Sequence, residues 1–143
     1  MRNSYEYLHD IVSSLHRIGI KRVMILNGHG GNIKERLEKF EPDAMKKLVE
    51  GLDVRYITYW FTCPDSLYEE HLELERDAGH AGEFETSFAQ IVFPEYIAEH
   101  EIQYANAGLA TKEKGQAIIH AVLEGVCKEV SDWLKKPVFS EQA

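Results

Sequence analysis

Apolar residues recur at helical spacing at the start of the chain. Leu8, Ile11, Val12, Leu15 and Ile18 mark one face of a helix. Asn3, with Glu6 three residues on, offers the cap, and Gly19 the stop. The pattern then changes to a continuous apolar run, Arg22 to Leu26, which suits a strand buried on both faces of a parallel sheet. Asn32 and Glu35 form a second capping pair, for a helix carrying Ile33, Leu37 and Phe40. Pro42 kinks or restarts that helix before Met45, Leu48 and Val49. Leu52 to Trp60, rich in β-branched and aromatic residues, predicts a second core strand. Strand, helix and strand in that order predict a right-handed βαβ unit.

Beyond it, Asp65 to Arg76 is charged and reads as helical, with Leu67, Leu72 and Leu74 as its apolar positions. Phe84, Phe88, Ile91 and Val92 form the inner face of a helix ended near Pro94. Tyr96 to Leu109 shows no period and reads as loop. Thr111 caps a last helix with Ile118, Val122, Val126, Val130, Trp133 and Leu134 facing inward. The chain has no internal repeat, low-complexity tract or interdomain linker.

Composition narrows the class. With 143 residues there is room for one domain, and 44% hydrophobic residues exclude a disordered chain. A net charge of −8 disfavours non-specific nucleic-acid binding. The longest apolar runs, such as Ile118 to Leu123, are too short to span a bilayer, and the chain opens with no signal-peptide pattern. The expectation is a soluble, cytoplasmic domain without a membrane or nucleic-acid partner. Two distant cysteines, Cys63 and Cys127, exclude a disulfide framework and read as reduced thiols, Cys63 near a cleft.

Two segments carry candidate chemistry. Asn27-Gly28-His29-Gly30-Gly31-Asn32 lies between a strand end and a helix start, where open α/β sheets place their ligands. Its glycines leave the His29 imidazole little shielded and available to a metal or substrate. A tight turn capped by the two asparagines explains the segment equally well. A phosphate cradle is less apt, since the loop has neither the GxGxxG spacing nor a P-loop lysine. In the second segment, Asp77 to Ser87, His80 stands near Asp77, Glu83 and Glu85. With a helix starting near Gly82, Glu85 falls in the first turn, where the helix dipole favours a carboxylate. The pair could bind a divalent ion, or the imidazole could move protons while a carboxylate orients it. An acidic helix start with a solvated histidine is the plainer alternative. Parallel topology would bring both junctions to one edge of the sheet.

Together, Asn27-Gly-His-Gly-Gly-Asn32 and His80-Ala-Gly-x-x-Glu-Thr-Ser87 resemble the creatininase (creatinine amidohydrolase) family. Ala110-Thr-Lys-Glu-Lys-Gly115 matches the opening of that family's last helix. The resemblance implies a three-layer α/β/α sandwich with a mostly parallel sheet, usually hexameric. It implies a divalent-metal centre (zinc, manganese or iron) that hydrolyses amide or cyclic-amide C–N bonds of small molecules. By the same resemblance His29 is a metal ligand, and Glu85 lies in or beside the metal's shell. His80 is the catalytic-site histidine, oriented by Asp77, while Asn27, Gly28, Gly30, Gly31, Asn32 and Glu83 shape the loops. Two departures stand out: Gly31 replaces a metal-binding glutamate of creatininase, and the family's N-terminal segment with Glu, His and Asp ligands is not matched. Residues 1–143 are therefore expected to form a single, partial creatininase-like domain. Its partner is a separate chain supplying the missing ligands, or further copies of itself. The alternative is an inactive creatininase-like fragment serving as an interaction or oligomerisation domain.

The remaining histidines, His9, His16, His71, His100 and His120, read as solvated or core-satisfied. Tyr56, Tyr59, Trp60 and Phe61 read as a packed strand whose end could border a pocket. Glu69 to Glu75 reads as a solvated acidic face.

Overall fold

The computed structural model describes residues 4–31, 49–74, 80–97 and 105–138. The expected cap Asn3, the helix over residues 33–48, Asn32, Asp77 and His100 lie outside the described residues. Two compact units are distinguished, residues 1–59 with 131–143 and residues 60–130.

In the first unit, helix α1 (Ser4–Arg17) places Leu8 and Val12 against a parallel pair of strands, β1 (Arg22–Asn27) and β2 (Asp53–Thr58). Val12, Leu52 and Val54 are buried, with Leu8, Val23, Ile25, Val49 and Tyr56 packed around them. Gly19 adopts φ +94° after the helix. Its N–H donates to the His16 carbonyl at 2.9 Å, and the Ile20 N–H to that of Leu15 at 3.2 Å. This is a Schellman stop, and it needs a left-handed residue at that position. The strands run in register from Arg22 opposite Asp53 to Asn27 opposite Thr58.

At the amino ends of the strands a polar cluster forms that no local pattern announces. The buried Asp53 carboxylate accepts the Trp133 indole N–H at 2.9 Å and the Arg22 Nε–H at 3.2 Å. The Arg22 guanidinium also donates to the carbonyls of Leu134 and Lys136 and lies 5.6 Å from the centre of the Trp133 ring. It thereby caps a helix C-terminus with a cation, the favourable sign for that end.

The second unit contains α2 (Asp65–His71), α3 (Glu83–Val92) and most of α4 (Lys112–Leu134). Cys63, Leu67, Ile118 and Ala121 form its buried centre, against which Tyr68, Leu72, Phe84, Phe88, Ala117 and Val122 pack. The Tyr68 and Phe84 rings stack 6.1 Å apart. Glycines permit close approach at two points on α4. A Cβ at Gly115 would collide with the Ser87 carbonyl of α3, and one at Gly125 with that of Thr62. Thr111 Oγ1 accepts the Lys114 N–H at 3.2 Å, the expected cap.

Several expectations are corrected. β1 is not buried on both faces: Val23 and Ile25 turn toward α1, whereas Leu26 is exposed. β2 stops at Thr58, because Tyr59–Thr62 turn into a single 3₁₀ helix ahead of Pro64. α2 ends at His71, since Leu72 is extended and the N–H groups of Glu73 and Leu74 bond to the distant Glu83 carboxylate. On α3 the buried residues are Glu83, Thr86 and Ser87, while Val92 is exposed. Ile11 and Leu134, assigned inward by periodicity, are also exposed. Short 3₁₀ turns, Pro94–Tyr96 and Ala105–Leu109, occur within the stretch read as loop and just before it. Neither cysteine is in a disulfide; Cys63 is buried and Cys127 exposed. Among the described residues, no helix is long and apolar enough to cross a membrane.

Candidate functional site

The glycine loop begins where β1 ends. Asn27, buried opposite Thr58, uses its side chain at three points. Its Nδ2 donates to Thr58 Oγ1 and to the His29 carbonyl, each at 3.1 Å, and its Oδ1 accepts the His29 N–H at 3.2 Å. An asparagine that bonds the backbone two residues on makes an Asx-turn. It locks the loop to both strands and lifts His29 into solvent, exposed together with Gly28, Gly30 and Gly31. The His29 ring folds over Gly31, where an added Cβ would stand only 2.5 Å from Nε2. The lack of a side chain at residue 31 is what lets the imidazole lie there.

In the second unit His80 and Glu85 meet: Nδ1 lies 3.1 Å from Oε2, with the imidazole 82% and the carboxylate 43% exposed. A carboxylate can only accept, so this contact is favourable when Nδ1 carries the proton, which leaves Nε2 facing solvent as the reactive nitrogen. The same Oε2 accepts the Ala81 N–H at 2.5 Å. Ala81 has φ +50°, a left-handed conformation that costs a non-glycine residue about 1–2 kcal/mol. Thr86 Oγ1 donates to its carbonyl at 3.2 Å, holding the turn from the other side. Gly82 precedes the helix, with its carbonyl accepting the Thr86 N–H at 2.9 Å.

The rest of the segment is scaffold. Glu83, 2% exposed, accepts the backbone N–H groups of Glu73 and Leu74 and pairs with the Lys114 ammonium. Lys114 also donates to Glu73 Oε1 at 2.9 Å and to the Leu109 carbonyl at 2.8 Å. Ser87 Oγ accepts the Thr111 N–H at 3.2 Å. Glu73 is exposed, as expected of the acidic face Glu69 to Glu75, and its carboxylate also pairs with Lys114. Sequence reading gave no role to Lys114. Its position in the Ala110 to Gly115 motif was the only signal, and its partners lie 31 and 41 residues away.

The other histidines have ordinary surroundings. His9 pairs with Asp10, His120 with Glu124 one turn on, and His16 Nδ1 lies 3.4 Å from the Ile20 carbonyl. His71 is exposed at the end of α2.

Metal centres of the zinc type take three or four protein donors. The described residues offer His29 in the first unit and His80 with Glu85 in the second. Among them no three His, Cys, Asp or Glu side chains are grouped to hold an ion. The described residues do not by themselves compose a metal centre.

The fold is that of solved creatininases. One described as "Creatininase Mn" superposes with a TM-score of 0.76 at 20% identity, over 92% of this chain and 64% of that one. A tryptophan-to-phenylalanine mutant of a Type II creatininase gives 0.72 at 22% identity, and another creatininase with a tryptophan-to-phenylalanine change gives 0.75 at 20%, with the same coverage. The chain thus spans 64% of the length of these structures. No curated protein gives a significant sequence match. The family model for creatininase, creatinine amidohydrolase, matches residues 3–108. By that match, the chain belongs to the creatininase family.

Proposed function

We propose that this chain carries the glycine-loop histidine and the His–Glu dyad of a creatininase-like amidohydrolase. The substrate is a small amide or cyclic amide, and the reaction is hydrolysis of its C–N bond. The observation that carries the reading is the 3.1 Å contact between His80 and Glu85, with the far edge of the imidazole open to solvent. Glu85 holds the Nδ1 proton in place, so Nε2 can take a proton from water as its oxygen attacks the amide carbon. The same nitrogen then returns the proton to the departing nitrogen as the C–N bond breaks. Oriented proton transfer of this kind supplies about 10²–10⁴-fold in rate.

In this reading residues 1–143 form one partial domain of an α/β/α sandwich with a mostly parallel sheet. A divalent metal, manganese, zinc or iron, is held by His29 and Glu85 with donors from outside the described residues. Asp77 orients His80, and Asn32 closes the glycine loop. The remaining donors come from a separate chain or from another copy of this one. The test is to load the full chain with each metal, alone and with the product of the adjacent gene, then measure bound metal and amine release from an amide panel that includes creatinine. The reading expects bound metal and turnover in at least one preparation, with turnover falling about 100-fold or more in His80→Ala. Absence of both metal and turnover in every preparation refutes it.

A second reading, an inactive interaction or oligomerisation domain, is favoured by one observation. Tyr7, Ile11 and Ile18 are all exposed at helical spacing along and just beyond α1, an arrangement that marks contact surfaces. A monomer at every concentration in light scattering contradicts it.

A further inference from the structure

We infer that Glu83 and Lys114 are positioning residues for the His80–Glu85 dyad, an assignment that rests on the hydrolase reading of that dyad. Each half of this ion pair is saturated. The three N–H donors of the ammonium go to Glu83, Glu73 and the Leu109 carbonyl. The Glu83 carboxylate, its side chain 1% exposed, receives Lys114 on Oε1 and the Leu74 N–H at 2.9 Å on Oε2, while the Glu73 N–H lies 3.0–3.1 Å from both oxygens. A carboxylate held at so many points cannot rotate, and it is the side chain of the first residue of α3.

That location gives the pair its leverage. Successive helical residues are about 100° apart, so residues two apart point to nearly opposite sides. Pinning Glu83 inward thus fixes the rotational phase of the first turn and sends Glu85 outward, to where it meets Ala81 and His80. The turn that delivers His80 contains a left-handed alanine, a conformation that persists only when its surroundings over-determine it. Ala81 is gripped by Glu85 at its N–H and by Thr86 at its carbonyl, and both grips are on the turn that Glu83 anchors. A buried ion pair is an inefficient source of stability, since apolar replacements often match it. What it supplies here is direction. Three segments, the residues just after α2, the start of α3 and the start of α4, are tied to one point two residues from the dyad carboxylate.

The Ala81 amide reports the effect without substrate or metal. Bonded to a carboxylate at 2.5 Å, its proton should resonate far downfield and exchange slowly in the folded protein, and Glu85→Gln should abolish both signs. Lys114→Met should accelerate its exchange by about tenfold or more and move the resonance upfield. Lys114→Arg should restore both in part. If Lys114→Met does not fold, the neutral pair Glu83→Gln with Lys114→Met removes both buried charges and should give the same amide signature in a folded chain. Val122→Ala, which loosens the same core without touching the pair, should leave the Ala81 amide as it is. An unchanged Ala81 amide in the folded double variant overturns the inference, as does an equal change in Val122→Ala. Failure to find turnover or metal bears on the hydrolase reading alone and leaves this amide test standing.

Discussion

Replacing Asp53 should be among the most damaging single changes in the first unit. Its carboxylate accepts the Trp133 indole N–H at 2.9 Å and the Arg22 Nε–H at 3.2 Å, and side-chain exposures are only 7% for Asp53 and 15% for Arg22. Hydrogen bonds to a charged group contribute about 1.5–3 kcal/mol each, and removing one partner of a buried pair costs about 3–5 kcal/mol. Asp53→Ala leaves both a buried indole N–H and a half-buried guanidinium without their acceptor, so we expect a loss of about 3–5 kcal/mol. A domain of this size has about 5–15 kcal/mol in all. Asp53→Asn keeps an acceptor for the indole while losing the charge facing Arg22, and should lose about half as much. Trp133→Phe removes one donor and leaves the carboxylate on Arg22, for about 1–2 kcal/mol. Urea unfolding followed by far-UV circular dichroism measures all three, and the double variant Asp53→Asn with Trp133→Phe should show a non-additive term of about 1 kcal/mol. The reasoning fails if Asp53→Ala stays within about 0.5 kcal/mol of the parent, the range of an ordinary surface change.

Three other outcomes follow from the same geometry. Gly115→Ala forces α3 and α4 apart at the Ser87 carbonyl and should lower stability by about 1–3 kcal/mol in the same urea assay. Asn27→Asp should harm the glycine loop more than Asn27→Ala, because it sets a buried carboxylate oxygen against the His29 carbonyl oxygen that Nδ2 now bonds, a repulsion alanine does not create. Amide exchange at His29 reads the difference. Burial desolvates the Lys114 ammonium and opposes its charge, but the hydrogen bonds to Glu83 and Glu73 outweigh this and hold its pKa above the ordinary 10.5. A folded value above the unfolded one gives stability that is complete below pH 10.5 and lost as pH climbs through the folded value. Melting temperatures between neutral and strongly alkaline pH should therefore fall less steeply in Lys114→Met.

How much of this was legible depends on how local each cause is. The run Arg22 to Leu26 announced a strand, and parallel pairing followed from the order of the elements. β2 was overextended because Tyr59 and Trp60 have the side chains of a strand, while the turn toward Pro64 is a backbone event. The early end of α2 and the buried face of α3 share one cause. Glu83 goes inward because donors from residues 73, 74 and 114 meet it there, which a helical wheel of residues 83–92 cannot show. His80 and Glu85 were legible from their motif, and the structure brings them into contact. Glu83 was assigned to loop shaping, but its partner Lys114 was visible only as a motif letter without a task. The Arg22, Asp53 and Trp133 cluster joins residues up to 114 positions apart with their neighbours and left no trace in periodicity.

The most direct test of the account is the protonation pattern of the His80 ring, read by long-range ¹H–¹⁵N correlation in the full chain at neutral pH. A dyad oriented by Glu85 predicts a ring with its proton on Nδ1 and a bare Nε2, and loss of that preference in Glu85→Gln. A proton resting on Nε2, or a pattern indifferent to Glu85→Gln, would contradict the claim that this carboxylate prepares the imidazole for proton transfer.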